Sequence, residues 1–240
     1  DAANILITSR KTPLKLGTGI LDNGSKPTDG GFLSDISEDE AKGIRNNDEI
    51  AAKYLRRIVG ARELLHDETR FCLWLVGAAP SDIRMSKELS WRVSSVREMR
   101  LASPKLQTKQ DADRASEFQQ IRQPKSDYIA VPRITSENRD YVPMAILPKD
   151  VILNDRISFV ADGSLLSFGL LMSKPFNVWN KAVSGRMRND TLISNTLTYN
   201  NFPVPDFAPG EQSKISSASQ EVLKVREGHS NSTLADLYDP

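Results

Sequence analysis

The sequence predicts an α+β fold: a twisted, mostly antiparallel sheet with helices packed around it, ending in a long helix. Three observations carry this. From Asp127 onward the chain turns to strand-like runs, Tyr128-Ile-Ala-Val-Pro132, Tyr141-Val-Pro-Met-Ala-Ile146 and Val151 to Val160, with the β-branched and aromatic content that strands favour. Upstream, Met85, Leu89, Val93, Val96 and Met99 step by three or four, the period of one helical face. Downstream, Glu211 to Glu227 reads as a final helix, with Ile215, Ala218, Val222 and Val225 forming an apolar stripe that calls for a neighbour.

In chain order, Ile5 to Gly31 is rich in Gly, Pro, Thr and Lys and reads as extended chain and turns. The glycines there supply positive φ. Ser37-Glu-Asp-Glu40 is a capping box that opens a short acidic helix. Asn46 and Glu49 repeat the signal before Ile50, Tyr54, Leu55 and Ile58, which are spaced for one helical face. Phe71 to Val76 reads as a strand, and Ser103-Pro104 ends the helix that began near Met85. Thr108 to Ser126 is polar and weakly periodic, a loop with a short helix. Prolines inside the later strand runs favour edge positions or bulges. Leu165 to Met172 is apolar, Ser173-Lys-Pro175 has the form of a helix start, and Leu192 to Tyr199 is strand-like. Trp74 and Trp91 read as core, and Phe176 and Trp179 as anchors of the helix that carries them.

The 240 residues suffice for one large or two small domains with a real core. No apolar run approaches the roughly 20 residues of a bilayer span, and no signal peptide opens the chain. The chain starts at Asp1 without a Met, so it is expected to be a piece of a longer polypeptide. One cysteine, Cys72, excludes an intrachain disulfide and fits a cytoplasmic location. It lies in an apolar run and reads as a small buried hydrophobe. With only His66 and His229 beside it, no zinc pattern forms.

The formal net charge is +1, whereas a domain that grips duplex non-specifically usually has a basic surplus. Distribution matters more than the sum: residues 84 to 105 carry Arg84, Lys87, Arg92, Arg97, Arg100 and Lys105 against only Glu88 and Glu98. These cations are expected on the outer face of the helix.

Signatures of catalysis are absent. No strand-to-helix Gly-rich turn and no Asn/Asp-Pro-Pro-Tyr occurs, so no methyltransferase cofactor site is expected. Nor is there a Gly-x-Ser-x-Gly elbow or a His-Glu-x-x-His helix. Asp29 with Glu40-Ala41-Lys42 formally matches a loose metal-nuclease pattern. That chemistry needs carboxylates on adjacent strands, and here they fall in a turn and a capped helix.

Ser167 to Pro205 carries the most information: Trp179 in a helix, Gly185-Arg186-Met187, the polar loop Arg188 to Leu192, then Tyr199-Asn200-Asn201-Phe202-Pro203-Val204-Pro205. This order resembles the target-recognition region of MmeI-like restriction enzymes, the type IIL/IIG proteins that fuse an endonuclease to an adenine methyltransferase. Asp29-Gly30-Gly31, Val59-Gly-Ala-Arg-Glu-Leu64, Arg70-Phe-Cys-Leu-Trp-Leu75 and Arg133 to Arg139 are similar to further segments of that family. The exit, Phe202 to Pro205 followed by Glu211-Gln212 and Ile215, also resembles the specificity subunits of type I restriction systems.

The resemblance implies a DNA-methylase specificity-domain-like fold. Its expected parts are an extended lead-in (1–28), a recognition domain (29–205), and a C-terminal helix with the start of a following helical domain (206–240). It implies that this piece reads DNA sequence and is not itself catalytic. It implies no cofactor for the piece, and S-adenosylmethionine and Mg²⁺ for the longer protein. The implied partners are double-stranded DNA and the methyltransferase and C-terminal helical domains of the same polypeptide, with no membrane. A protein–protein assembly module is the alternative.

Arg188, Asn189 and Asp190 offer, in consecutive positions, the side-chain types that make bidentate or amine contacts to guanine, adenine and cytosine. In the family, positions aligned with Arg188 and Asp190 are those associated with base choice, with Leu192 beside them. A second family position aligns with Arg156, or with Asn154. Phosphate contacts position such a domain without specifying sequence. Candidates for them are Lys174, Lys181 and Arg186 beside the loop, with Arg133 and Arg139; an internal salt bridge is the other role open to Arg186.

Overall fold

The computed structural model describes residues 6–15, 19–161 and 163–240; Ile5 and Gly17 of the lead-in lie outside them. The centre is a four-stranded antiparallel sheet in the order β1-β8-β4-β6, formed by Leu21–Asn23 (β1), Tyr128–Pro132 (β4), Ala145–Leu147 (β6) and Ile157–Ala161 (β8). Every residue of β4 is buried. Alternation explains how: Ile129 and Val131 face one apolar cluster, while Tyr128 and Ala130 face another. A strand covered on both faces reads as a continuous apolar run.

Pro132 therefore does not mark an edge strand, because β4 is flanked by β8 and β6. The pairing ends early on one side instead. The β6 ladder stops at Ala130, whereas the β8 ladder runs on to Pro132 opposite Ile157. The ring sits where one side asks for no donor.

A mixed sheet, β3-β2-β7, packs beneath one face: Leu55–Val59 (β2), Phe71–Leu73 (β3) and Ile152–Leu153 (β7). The helix expected across Ile50 to Ile58 is corrected here. Only Glu49–Ala52 (α2) is helical, capped by Asp48, and the chain then becomes β2. Leu55 and Ile58 fit a helical period, but β2 is held antiparallel to β3 and parallel to β7 by segments far along the chain. Around this sheet lie Glu38–Asn47 (α1), Ala61–His66 (α3), Pro80–Met85 (α4), Lys87–Leu101 (α5) and Leu106–Gln110 (α6). Ser37 caps α1 and Glu40 reciprocates, as its sequence requires. Cys72 is fully buried, and burial pushes its thiol pKa up.

The helix α5 corrects two expectations. Arg92 and Arg100 are 5% and 0% exposed, so they do not belong to an outer basic face. Arg92 pairs with Glu88 and Glu40 and donates to the Phe32 carbonyl. Arg100 donates to the carbonyls of Pro27, Thr28, Asp111, Arg114 and Glu117, tying two loops together. Trp91, expected in the core, is 54% exposed, its ring edge-on to Phe32.

On the other face of the central sheet lie Leu165–Leu171 (α7), Lys174–Val183 (α8) and Pro209–Glu227 (α9). A third sheet, β5-β10-β9, comprises Ile134–Thr135 (β5), Gly185–Met187 (β9) and Asp190–Leu192 (β10). The strand-like stretch after Leu192 is corrected: Asn195–Tyr199 forms a π-helical turn. The turn and its C-cap accept from the lead-in, Arg10 N–H reaching the Thr196 carbonyl and Leu14 N–H reaching the Asn200 carbonyl, each at 2.9 Å.

Leu234–Tyr238 (α10) ends the fold against α3. The α9 stripe splits. Ile215 is half-buried against α7, while Ala218, Val222 and Val225 are exposed. Arg226 turns inward, donating to the Met144 carbonyl and the Tyr238 hydroxyl.

Candidate nucleic-acid interface

The helix α8 begins at Ser173, whose hydroxyl accepts from Phe176 N–H, with Pro175 in the first turn. Phe176 packs edge-on to Phe202 at 5.1 Å, and Trp179 donates to the Thr198 carbonyl at 2.8 Å. Both therefore act as anchors. The same helix presents Asn180, fully buried, to the strands beyond it. Asn180 Nδ2 donates to Thr191 Oγ1 at 2.9 Å, and Ser184 Oγ donates to Asn180 Oδ1 at 2.6 Å. Ser184 also meets the Thr198 hydroxyl at 2.6 Å. A satisfied buried polar network of this kind fixes geometry.

What it fixes is a β-hairpin. Opposed pairs run Leu192↔Gly185, Thr191↔Arg186 and Asp190↔Met187, leaving Arg188 and Asn189 as a two-residue tip. Thr191 and Arg186 share the face turned toward α8. Alternation puts Met187 and Asp190 on the other face. Arg188, Asn189 and Met187 are exposed and Asp190 is half-buried. Among the described residues, no hydrogen bond or ion pair engages the side chains of Arg188, Asn189 or Asp190. Arg188 has φ +58°, in the left-handed region. A positive φ at only the first tip position is the sign pattern of a type II′ turn, where glycine is usual.

Arg186 has an internal role. Its guanidinium donates to the Asn189 carbonyl at 3.0 Å and the Lys181 carbonyl at 3.1 Å, with the Glu137 carboxylate 3.9 Å away. Lys174 is exposed at the start of α8 and Lys181 is half-buried in its last turn.

The upstream candidates separate. Arg156 is exposed. Asn154 is 7% exposed and accepts from the Arg156 N–H, so its amide oxygen shapes the turn. Arg133 joins this turn to the hairpin sheet: its side chain donates to the Asp155 carbonyl at 2.9 Å, and its own carbonyl accepts from Ile193 N–H. The β4–β8 ladder closes with Pro132↔Ile157, so Arg133 and Arg156 follow at the same end. Arg139 is 7% exposed and ion-paired with Asp239, so its guanidinium is engaged within the chain.

Residues of the nuclease-like pattern are consumed locally. The Asp29 carboxylate accepts from the main chain of Gly31, Leu33 and Ser34, and Glu40 caps α1. Gly30 and Gly31 take φ +65° and +88° to make that turn. Among the described residues no helix is long and apolar enough to cross a membrane. Asn180, Ser184 and Thr191, which hold the hairpin, carry little signal in the sequence. The only local signal was an Asn on the inner face of an amphipathic helix.

The architecture is that of an α+β domain whose helices and sheets hold up one exposed polar hairpin. The chain belongs to the family described as MmeI, target recognition domain, which it matches over residues 1–206. It is 32% identical over its whole length to DNA methyltransferase A of Bacillus subtilis (strain 168), covering 27% of that protein. It also superposes in full, with a TM-score of 0.96 and 33% identity, on a solved structure of the type IIL restriction-modification enzyme MmeI in complex with DNA. There it accounts for 32% of the chain, so it spans about a third or less of both relatives.

Proposed function

We propose that this chain reads a DNA sequence for a longer restriction-modification polypeptide and is not itself catalytic. The observation that carries this is the tip of the β9–β10 hairpin. It presents three unengaged polar side chains of base-reading type on a ribbon held rigid by buried hydrogen bonds. Arg188 and Asp190 are the primary readers, with Asn189 between them and Arg156 at the neighbouring turn. Lys174, Lys181 and Arg133 are the cations that would meet phosphates. The relatives' names, a DNA methyltransferase and an enzyme solved with DNA, support the reading.

In the longer protein, S-adenosylmethionine would supply the methyl group for adenine N6 and Mg²⁺ would serve cleavage. This chain's part is to position the duplex. The expected location is the cytoplasm. The assembly-module alternative has no comparable observation behind it.

The test is sequence selection from a randomised duplex library by the full-length protein. Replacing Arg188 and Asp190 together by Ala should change the base preferred at one position by tenfold or more, since a bidentate contact carries about 1–3 kcal/mol of discrimination. An unchanged selected sequence would show that the hairpin is scaffold.

A further inference from the structure

We infer that Arg186 is a positioning residue for recognition: it clamps the hairpin tip to the end of α8 and so sets the direction of Arg188 and Asp190. The inference rests on the DNA-reading function proposed above and assigns its geometry to one side chain.

The last carbonyls of a helix lack intrahelical donors. At the end of α8, the Asn180 carbonyl is taken by Ser184 N–H and the Lys181 carbonyl by the Arg186 guanidinium. A cation there is also favoured by the helix dipole. The second arm of the fork reaches the Asn189 carbonyl, inside the two-residue tip. One planar group thus bridges the ribbon's tip to a helix whose own position is fixed by Phe176, Trp179 and Asn180. Glu137 lies 3.9 Å from the same guanidinium, just past the end of β5.

Without this bridge, the tip beyond Thr191 has only its own short ladder. A two-stranded ribbon is marginal by itself. Base reading tolerates little misplacement, because bidentate contacts require both hydrogen bonds to be aligned. A lysine cannot substitute, because one ammonium does not reproduce a planar fork between two carbonyls. The same engagement distinguishes Arg186 from a phosphate contact: two of its nitrogens are already donating within the chain.

The experiment compares wild type, Arg186→Gln and Arg186→Lys in the full-length protein. It measures the sequence selected from a randomised duplex library, the slope of binding against salt, and hydrogen exchange of the tip amides. Thermal unfolding confirms that each variant is folded. Both variants should lose tenfold or more in discrimination at the position governed by Arg188 and Asp190, and tip exchange should accelerate at least tenfold. The salt slope should remain that of wild type.

A slope flatter by about one unit with the selected sequence unchanged would make Arg186 a phosphate contact and overturn the inference. So would an unaltered sequence with unaltered exchange, or full rescue by lysine. If wild type itself selects no sequence, the recognition reading fails and the inference falls with it.

Discussion

Arg188 occupies a backbone conformation that its own Cβ opposes. The left-handed region costs an L residue about 1–2 kcal/mol, and the tip gains nothing from this side chain within the fold, since no partner among the described residues engages it. Strain of this kind at an exposed tip points to work done outside the chain. Arg188→Gly should therefore leave the fold intact and raise stability by up to about 1 kcal/mol, read from urea unfolding, while selection at its base position is lost. A loss of stability instead would mean that the guanidinium holds the hairpin. The two roles of arginine in this molecule differ in how far they can be read from sequence. The place of Arg188 at an exposed turn is legible because its neighbours on both sides form a pattern. Arg92 and Arg100 resemble surface cations on a helix, and only the fold brings distant carbonyls from residues 27–28 and 111–117 around Arg100. A cation's burial depends on acceptors that its own stretch of sequence does not contain.

Among the elements, local chemistry determined the starts of helices better than their extents. The capping box at Ser37 and the serine cap at Ser173 are complete within four residues, and both form as written. The segment after Asp48 satisfies helical spacing, but the β2 pairing that overrides it comes from Phe71–Leu73 and Ile152–Leu153. Asp48 itself links two helices. One carboxylate oxygen accepts from Ala51 N–H at the start of α2. The other accepts from the Ser86 hydroxyl at 2.6 Å, and Ser86 Oγ in turn accepts from Leu89 N–H to cap α5. Burial pushes this carboxyl upward, but the donors from Ser86, Ala51, Glu88 and Ile50 outweigh it and hold the pKa below its ordinary 3.8. A depressed carboxylate stabilises the fold at neutral pH, and that contribution disappears as pH falls through the folded-state value. Asp48→Ala should cost about 2 kcal/mol at neutral pH, measured by urea unfolding. The gap to wild type should narrow once the pH drops below about 4. A gap that persists undiminished in acid would mean the ionised carboxylate is not the stabilising species.

At the level of the whole molecule, three apolar clusters among the described residues are joined by strands whose alternate residues serve different clusters. Ile58 and Ile152 belong to the N-terminal helical core and Val59 and Leu153 to the one under the central sheet, while β4 divides its residues between that cluster and the α7–α8 side. The α9 helix completes the third cluster by lying on α7, with Leu223 packed against it and Arg226 reaching the Met144 carbonyl. The face that α9 lays on α7 carries Ile215 and the buried Ser219 and is not the whole stripe read from the sequence, because the residue that admits the helix is a glycine on the other element. A Cβ on Gly169 would stand 2.3 Å from Ser219 Oγ, 2.9 Å from Ile215 Cγ2 and 3.3 Å from the Ile215 carbonyl oxygen. The Ser219 hydroxyl cannot swing away freely, since it is bonded to the Ile215 carbonyl at 2.8 Å and buried. Gly169→Ala thus opposes two effects. Alanine favours the helical backbone by about 0.5–1 kcal/mol, and overpacking a closed seam costs about 1–3 kcal/mol. The clash involves main chain as well as side chain, so overpacking should win. The variant should lose about 1–2 kcal/mol, with exchange of the α9 amides at least tenfold faster while β4 and β8 stay protected. Gained stability with α9 unchanged would show that the seam has room to give. Faster exchange spread evenly over the sheet would show instead that α9 unfolds only together with the core it covers.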